Sequence, residues 1–309
     1  MIYENILQAM GNTPMIKLQR IVDEDSAEIL VKFEGLNVGG STKTRTAFSM
    51  IEEAEKAGLL TEKSIIVEPT SGNQGIGLAL VGAVKGYKTR IIMPDSVSEE
   101  RQKLIKMYGA ELVLVHDEGN IGKAIEECLQ LSQKMAREDA NVYLPRQFEN
   151  PANPLAHRNG TAAEILQQVD GKIDGFCSGF GTGGTISGIG NLLKEHNPEM
   201  EIWVLEPENA AILSGKEISS HLQMGIGDGV IPENLDAKIY NEVHIITDEE
   251  AIQTARLLAA KEGILCGITS GTNVAGAIKL AKKLGKGKRV VTLLPDTAER
   301  YFSTELFDL

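Results

Sequence analysis

The chain has 309 residues, and 31 Lys plus Arg against 43 Asp plus Glu give a formal net charge of −12. Such an acidic balance provides no global attraction to nucleic acid or to anionic membranes, so any bound phosphate must be held by local donors. The length suits two domains with sizeable cores. The opening Met1-Ile2-Tyr3-Glu4-Asn5 lacks a basic segment followed by an apolar run, and no stretch reaches the ~18 apolar residues of a membrane span. Three scattered cysteines, Cys128, Cys177 and Cys266, fit free thiols in a reducing compartment. A cytoplasmic protein is expected.

In chain order, short β-branched runs at 29–34, 64–68, 89–93, 111–116, 142–144, 173–178, 201–206 and 289–294 read as strands. Helical patterns lie between them, among them 42–57, 73–84 and 121–136. The alternation predicts an α/β fold with mostly parallel sheets covered by helices. Pro145, Pro151 and Pro154 suggest a domain crossing, giving expected domains at 1–145 and 146–309. Ser96 with Glu99 and Thr247 with Glu250 form two capping boxes. The stretch 208–247 has little periodicity and carries Gly225, Gly227 and Gly229 around Asp228; long irregular segments in compact proteins are often functional.

Two glycine-bearing turns point to chemistry. Lys43 lies three places past a glycine pair in Gly39-Gly40-Ser41-Thr42-Lys43. Gly35 and Gly40 have Walker spacing, but Lys43 comes two places too late to serve as a P-loop lysine. The second turn is Gly181, Thr182, Gly183, Gly184 and Thr185, which follows a strand pattern. A reactive amine and a phosphate cradle are the two things pyridoxal phosphate needs. The same residues also allow a dinucleotide reading. Gly179-Phe180-Gly181-Thr182-Gly183-Gly184 satisfies GxGxxG, and Glu206 ends the next strand near the Rossmann distance. A third turn, Thr70-Ser71-Gly72-Asn73, follows the strand at 64–68 and suits a small carboxylate, because helix N-termini there present free N–H groups.

With these turns in order, from Gly11-Asn12-Thr13-Pro14 to Glu299-Arg300-Tyr301-Phe302-Ser303-Thr304, the chain resembles the cysteine synthase/cystathionine β-synthase family over nearly its whole length. The family has the tryptophan-synthase β-subunit fold, with pyridoxal 5'-phosphate in a cleft between two domains. The resemblance implies that Lys43 bonds to the cofactor aldehyde and that Asn73 contacts its ring oxygen. Gly181, Thr182, Gly183, Gly184 and Thr185 would hold the phosphate. Thr269 would face the pyridine nitrogen, where relatives usually carry Ser. Thr70, Ser71, Asn73 and Gln147 would bind the substrate carboxylate. The chain departs from the pattern at Thr44, Gln74 and Asp228, where relatives commonly have Asp, Thr and a small residue. Asp228 is either an active-site acid or a loop residue.

The implied reaction is β-replacement on a serine or cysteine derivative, first of all cysteine synthesis from O-acetylserine and sulfide. An alternative is cysteine β-lyase or β-replacement chemistry that releases hydrogen sulfide and forms serine or a thioether, with Asp228 activating water. A nicotinamide-dependent oxidoreductase built on residues 179–184 and Glu206 is the alternative of another class. The expected partners are an amino acid with sulfide or a thiol, and a second copy in a homodimer, without nucleic acid or membrane. The five histidines show no metal-ligand spacing, so no metal is expected. Cys177 has no basic neighbour in sequence and reads as a buried thiol.

Overall fold

The computed structural model describes residues 2–118 and 121–309. The strands in chain order are β1 (Met15–Lys17), β2 (Glu28–Phe33), β3 (Ile65–Pro69), β4 (Lys88–Pro94), β5 (Glu111–Val115), β6 (Val142–Tyr143), β7 (Gly175–Gly179), β8 (Glu201–Pro207), β9 (Glu242–Ile246) and β10 (Arg289–Leu294). They form a six-stranded sheet ordered β1-β2-β10-β7-β8-β9 and a four-stranded sheet ordered β5-β4-β3-β6. Every pairing is parallel except β1 with β2. Parallel neighbours require long crossovers. The helices supply them: α1 (Lys43–Lys56), α2 (Asn73–Lys85), α3 (Glu99–Met107), α4 (Ile121–Glu138), α5 (Ala152–Ala156), α6 (Ala163–Gln168), α7 (Gly184–His196), α8 (Asp248–Leu257) and α9 (Ile268–Leu284). The fold is the mixed α/β architecture with mostly parallel sheets that the alternation predicts. Among the described residues, no helix is long and apolar enough to cross a membrane.

The sheets do not follow one cut of the chain. The segment 1–145 supplies β3 to β6 to the smaller sheet, but its first two strands join the larger one. The reason is β10, which lies between β2 and β7 and pairs with β2 along its whole length, from Arg289 opposite Glu28 to Leu294 opposite Phe33.

Two strands lie outside the expected set. β1 has three residues, too few for alternation to register. β9 sits inside the stretch read as irregular and pairs only with β8 at the sheet edge. Its polar Glu242 and His244 mask the pattern. One capping box holds and the other does not. The Thr247 hydroxyl accepts from Glu250 N and the Glu250 carboxylate accepts from Thr247 N. Ser96, by contrast, donates to Asp117 at 2.6 Å, and α3 starts after Ser98 with no side-chain cap.

Helix α2 is buried through most of its length, from Gln74 to Gly82. It packs against α1 closely enough that a Cβ at Gly77 would lie 2.8 Å from the Lys43 carbonyl oxygen. Only glycine fits that approach, which brings the starts of α1 and α2 side by side.

A buried ionic cluster fixes the start of α1. Arg45 donates from Nε and Nη2 to Glu34 at 2.8 and 2.9 Å, and from Nη1 and Nη2 to Glu164 at 2.6 and 2.8 Å. Lys32, with a relative accessibility of 0%, donates to Thr13 O at 2.7 Å and Gln168 Oε1 at 2.8 Å and pairs with Glu164 at 2.7 Å. Two cations thus meet two carboxylates on β2, α1 and α6. Burial alone would push the Glu164 carboxyl up, but the bonds from Arg45 and Lys32 outweigh it and hold it at about 2. A depressed carboxyl stabilises the fold above its unfolded-state value, and the contribution is lost as the pH falls toward 2. Removing one member strands the opposite charges in a dry site. Arg45→Leu should therefore cost about 3–5 kcal/mol in a urea unfolding experiment at neutral pH; a loss below about 1 kcal/mol would contradict the role assigned to the cluster.

Candidate active site

The three turns read from sequence converge at the C-terminal ends of parallel strands, where open α/β sheets bind ligands. The turn 70–73 follows β3, the turn 180–183 follows β7, and Asp296 stands two residues beyond β10. Lys43 is the first residue of α1, with Ser41 bridged to Asp296 and Thr42 N donating to Pro295 O at 2.9 Å. The Lys43 side chain is half-buried. Burial lowers its amine below the usual lysine range, and Asp228 is the charge that opposes this shift. A greater share of neutral amine is what a nucleophilic or proton-abstracting lysine needs.

Asp228 occupies the same cleft. Its side chain is exposed at the opening; desolvation raises its carboxyl, and Lys43 and His221 pull it down. The structure therefore brings the two proposed catalytic groups into electrostatic contact. It also sets Asp228 against the phosphate turn, since a Cβ at Gly181 would lie 2.7 Å from Asp228 Oδ2 and 2.6 Å from Gly225 O. The loop carrying Asp228 is anchored by buried Gln223. That side chain donates to Ile246 O at 3.0 Å and to Asp248 Oδ1 at 2.9 Å, and accepts from Thr272 at 2.8 Å.

The 181–185 turn suits an anion. Gly183, at φ 76°, precedes α7, and no side chain caps that helix, which leaves its first N–H groups to a ligand. Thr182 Oγ accepts from Asn153 at 2.9 Å, and the Thr185 hydroxyl lies 3.2 Å from His157 Nε2. His157 is buried, and desolvation first, then Lys43 and Arg45, drives its imidazole well below the ordinary histidine range. A neutral imidazole can orient the Thr185 hydroxyl without adding a charge.

Asn73 begins α2. Its amide donates to Asp296 Oδ2 at 2.6 Å and accepts from Arg300 at 2.7 Å, leaving one amide N–H for a ring oxygen. Asp296 Oδ2 also accepts from Tyr301 at 2.7 Å, and Arg300 donates to Gly39 O. Thr269, in the first turn of α9, donates to Met224 O at 2.9 Å. Gln147 is buried; its backbone N donates to Glu68, and its carbonyl accepts from Asn153 and Asn234. Thr70 Oγ accepts from Gly72 N at 3.3 Å, and Ser71 lies in the same turn. Buried polar atoms without a protein partner cluster around this cleft, among them Thr42 Oγ, Thr44 Oγ, Asn153 Oδ1 and Asp296 Oδ1. An amine, an anion cradle and unsatisfied polar atoms together fit a phosphorylated aldehyde cofactor.

The dinucleotide alternative fails on its acid. Glu206 is 0% exposed, and its oxygens accept from Leu213 N at 2.7 Å, Ser214 N at 3.1 Å and Ser214 Oγ at 2.8 Å. It caps the following turn and cannot reach a ribose. Cys177 is buried and unpaired, and desolvation pushes its thiol up to about 12, so it is inert. Glu68, Asn153, His157, Asp296 and Arg300 were not anticipated as site residues. Of these, only Asp296, after a strand and beside Pro295, carried a positional signal.

A family model described as pyridoxal-phosphate dependent enzyme matches residues 6–296, and the chain belongs to that family. It is 48% identical over 305 residues to a cysteine synthase of Staphylococcus aureus, covering 98% of this chain and 97% of the relative. Among solved structures, a hydrogen sulfide-producing enzyme from Fusobacterium nucleatum superposes with a TM-score of 0.91 at 39% identity, covering 97% of this chain and 100% of that one. A cysteine synthase from Entamoeba histolytica gives a TM-score of 0.93 at 36% identity, with coverages of 100% and 92%. The chain is thus a cysteine synthase-like member of a pyridoxal-phosphate-dependent enzyme family.

Because a methyl group at Gly181 would strike both Gly225 O and Asp228, Gly181→Ala should force the 225–229 loop outward. The expected result is at least about tenfold weaker retention of pyridoxal phosphate with an unchanged far-ultraviolet spectrum, read by cofactor absorbance after gel filtration. Full retention at the parent's affinity would show that the turn does not form the cradle.

Proposed function

We propose that this enzyme binds pyridoxal 5'-phosphate on Lys43 and catalyses β-replacement, making cysteine from O-acetylserine and sulfide. The observation that carries the reading is Lys43, with its lowered amine, in one cleft with Asp228 and the uncapped start of α7. The bound cofactor supplies an electron sink that lets the β-substituent of an amino acid leave.

The remaining roles belong to the chain. Lys43 would hold the cofactor through its amine, and the same amine, with its lowered basicity, would serve as the base for the substrate's α-proton. Gly181, Thr182, Gly183, Gly184 and Thr185 hold the phosphate with backbone N–H groups at the start of α7. Thr269 would face the pyridine nitrogen, its hydroxyl proton turning there from Met224 O; unlike a carboxylate, it would not keep that nitrogen protonated, which favours elimination over long-lived carbanion chemistry. Asn73 serves the ring oxygen through its free amide N–H. Thr70, Ser71, Asn73 and Gln147 receive the substrate carboxylate. A homodimer goes with this reading, and the three free, buried cysteines suit a reducing compartment.

Borohydride treatment of the purified enzyme should fix the cofactor to Lys43, located by peptide mass. Lys43→Ala should lose turnover of O-acetylserine with sulfide while keeping the parent's fold. Steady-state activity surviving in Lys43→Ala would end this assignment.

A second reading is favoured by one specific observation, the raised carboxyl of Asp228 beside Lys43. An acid there can take a proton from water and direct it onto the β-carbon, so that cysteine gives serine and sulfide. Asp228→Asn should then lose serine formation from cysteine by about 10²–10⁴-fold while still giving a spectral change with substrate. If the variant handles cysteine and O-acetylserine as the parent does, Asp228 is a loop residue only.

A further inference from the structure

Glu68 is the last polar residue of β3 before the 70–73 turn, and it is only 2% exposed. Its carboxylate accepts two successive backbone N–H groups, Arg146 N on Oε2 and Gln147 N on Oε1, both at 3.0 Å. Arg146 takes a left-handed backbone, φ 56°, which is uncommon for a residue with a long side chain. A left-handed residue turns neighbouring N–H groups toward one point and makes an anion-binding concavity. Glu68 fills it from a different strand.

Gln147 is held from the other side too. Its carbonyl accepts from Asn153 at 2.8 Å and from Asn234 at 2.9 Å, and Asn153 also donates to Thr182 at 2.9 Å. A continuous hydrogen-bonded path thus runs from the strand that ends in the substrate turn, through Gln147, to the phosphate turn. Breaking it at Glu68 frees Gln147 on the substrate side and leaves the phosphate side tied.

We propose that Glu68 is a positioning residue for the amino-acid substrate, clamping Gln147 beside the 70–73 turn through the Arg146 and Gln147 N–H groups, and that the clamp is tightest while the carboxyl is ionised. The proposal rests on the β-replacement reading. A protonated carboxyl loses its charge and spends one lone pair on its hydrogen, so the bond to one of the two backbone N–H donors weakens and the left-handed Arg146 loses part of its support.

Desolvation raises Glu68 to about 7, opposed by the Gln147 and Arg146 N–H groups; Glu149 adds to the rise and the Arg146 guanidinium lowers it. Tyr143, on β6, is the other titratable group that bears on it. A carboxyl raised in the folded chain takes up its proton there before it does in the unfolded chain. Ionising Glu68 therefore costs stability between the usual carboxyl range and pH 7. What the ionised clamp secures is the geometry of Gln147.

The test uses the holoenzyme, with Glu68→Gln as the variant of equal size. In the parent, the Arg146 and Gln147 amides should exchange slowly with deuterium at pH 8 and faster at pH 6, after correction for the intrinsic rate. In Glu68→Gln they should exchange fast at both. The KM for O-acetylserine at pH 8 should rise about tenfold or more in the variant, with kcat and the KM for sulfide within about threefold of the parent. The parent's KM for O-acetylserine should itself climb as the pH falls through 7, a step the variant lacks. A variant with the parent's KM or the parent's protection would overturn the proposal, and so would a parental KM that stays flat through pH 7. Absence of turnover in the parent would sink the β-replacement reading and the substrate half of the proposal, while the exchange measurement still reads the clamp.

Discussion

The site depends on Arg45 more than on any other residue outside the cleft. Two residues downstream of Lys43, its guanidinium bridges Glu34, just past β2, and Glu164, on α6. A planar fork that meets two carboxylates at once leaves the start of α1 little rotational freedom. β2 belongs to the larger sheet and α1 packs on α2, which follows the smaller one. One buried cation therefore ties the helix bearing the reactive lysine to both sheets. The charges balance, two cations against two carboxylates, which is what allows them to lie in a dry interior.

The cleft follows the opposite logic. Lys43 and Asp228 oppose each other's shifts, but neither has a partner close enough to form an ion pair, and desolvation moves both toward neutrality. His157, behind the phosphate turn, is driven neutral by the same burial and by the cations in front of it. Polar groups held short of full pairing, next to a framework whose charges are fully paired, are the arrangement expected where a charged ligand completes the site.

Much of this was legible in the chain. Hydrophobic alternation revealed eight of the ten strands, because parallel strands buried on both faces read as continuous β-branched runs. The glycine-bearing turns were visible because close backbone approach and free helix N-termini demand small residues at fixed spacing. What escaped were elements whose identity lies in their partners. β1 is a strand only because β2 offers it an edge, and Ser96 lies two places before the helix it was expected to cap, its hydroxyl bonded to Asp117 instead.

The sequence by itself determined the parallel α/β class and marked Lys43 and the glycine-rich turn at 181–185 as candidates, since each is written in local residue patterns. Tertiary structure decided the rest. It joined the opening strands to the last one, by seating β2 beside β10. It used up Glu206 within a turn, which removed the dinucleotide reading, and it set Asp228 against Gly181 and Lys43. It also made Glu68 a clamp, though nothing local distinguishes that glutamate from any other at a strand end. Burial, distance and competition for donors are properties of the packed molecule, and a linear pattern cannot encode which of several polar groups will be nearest.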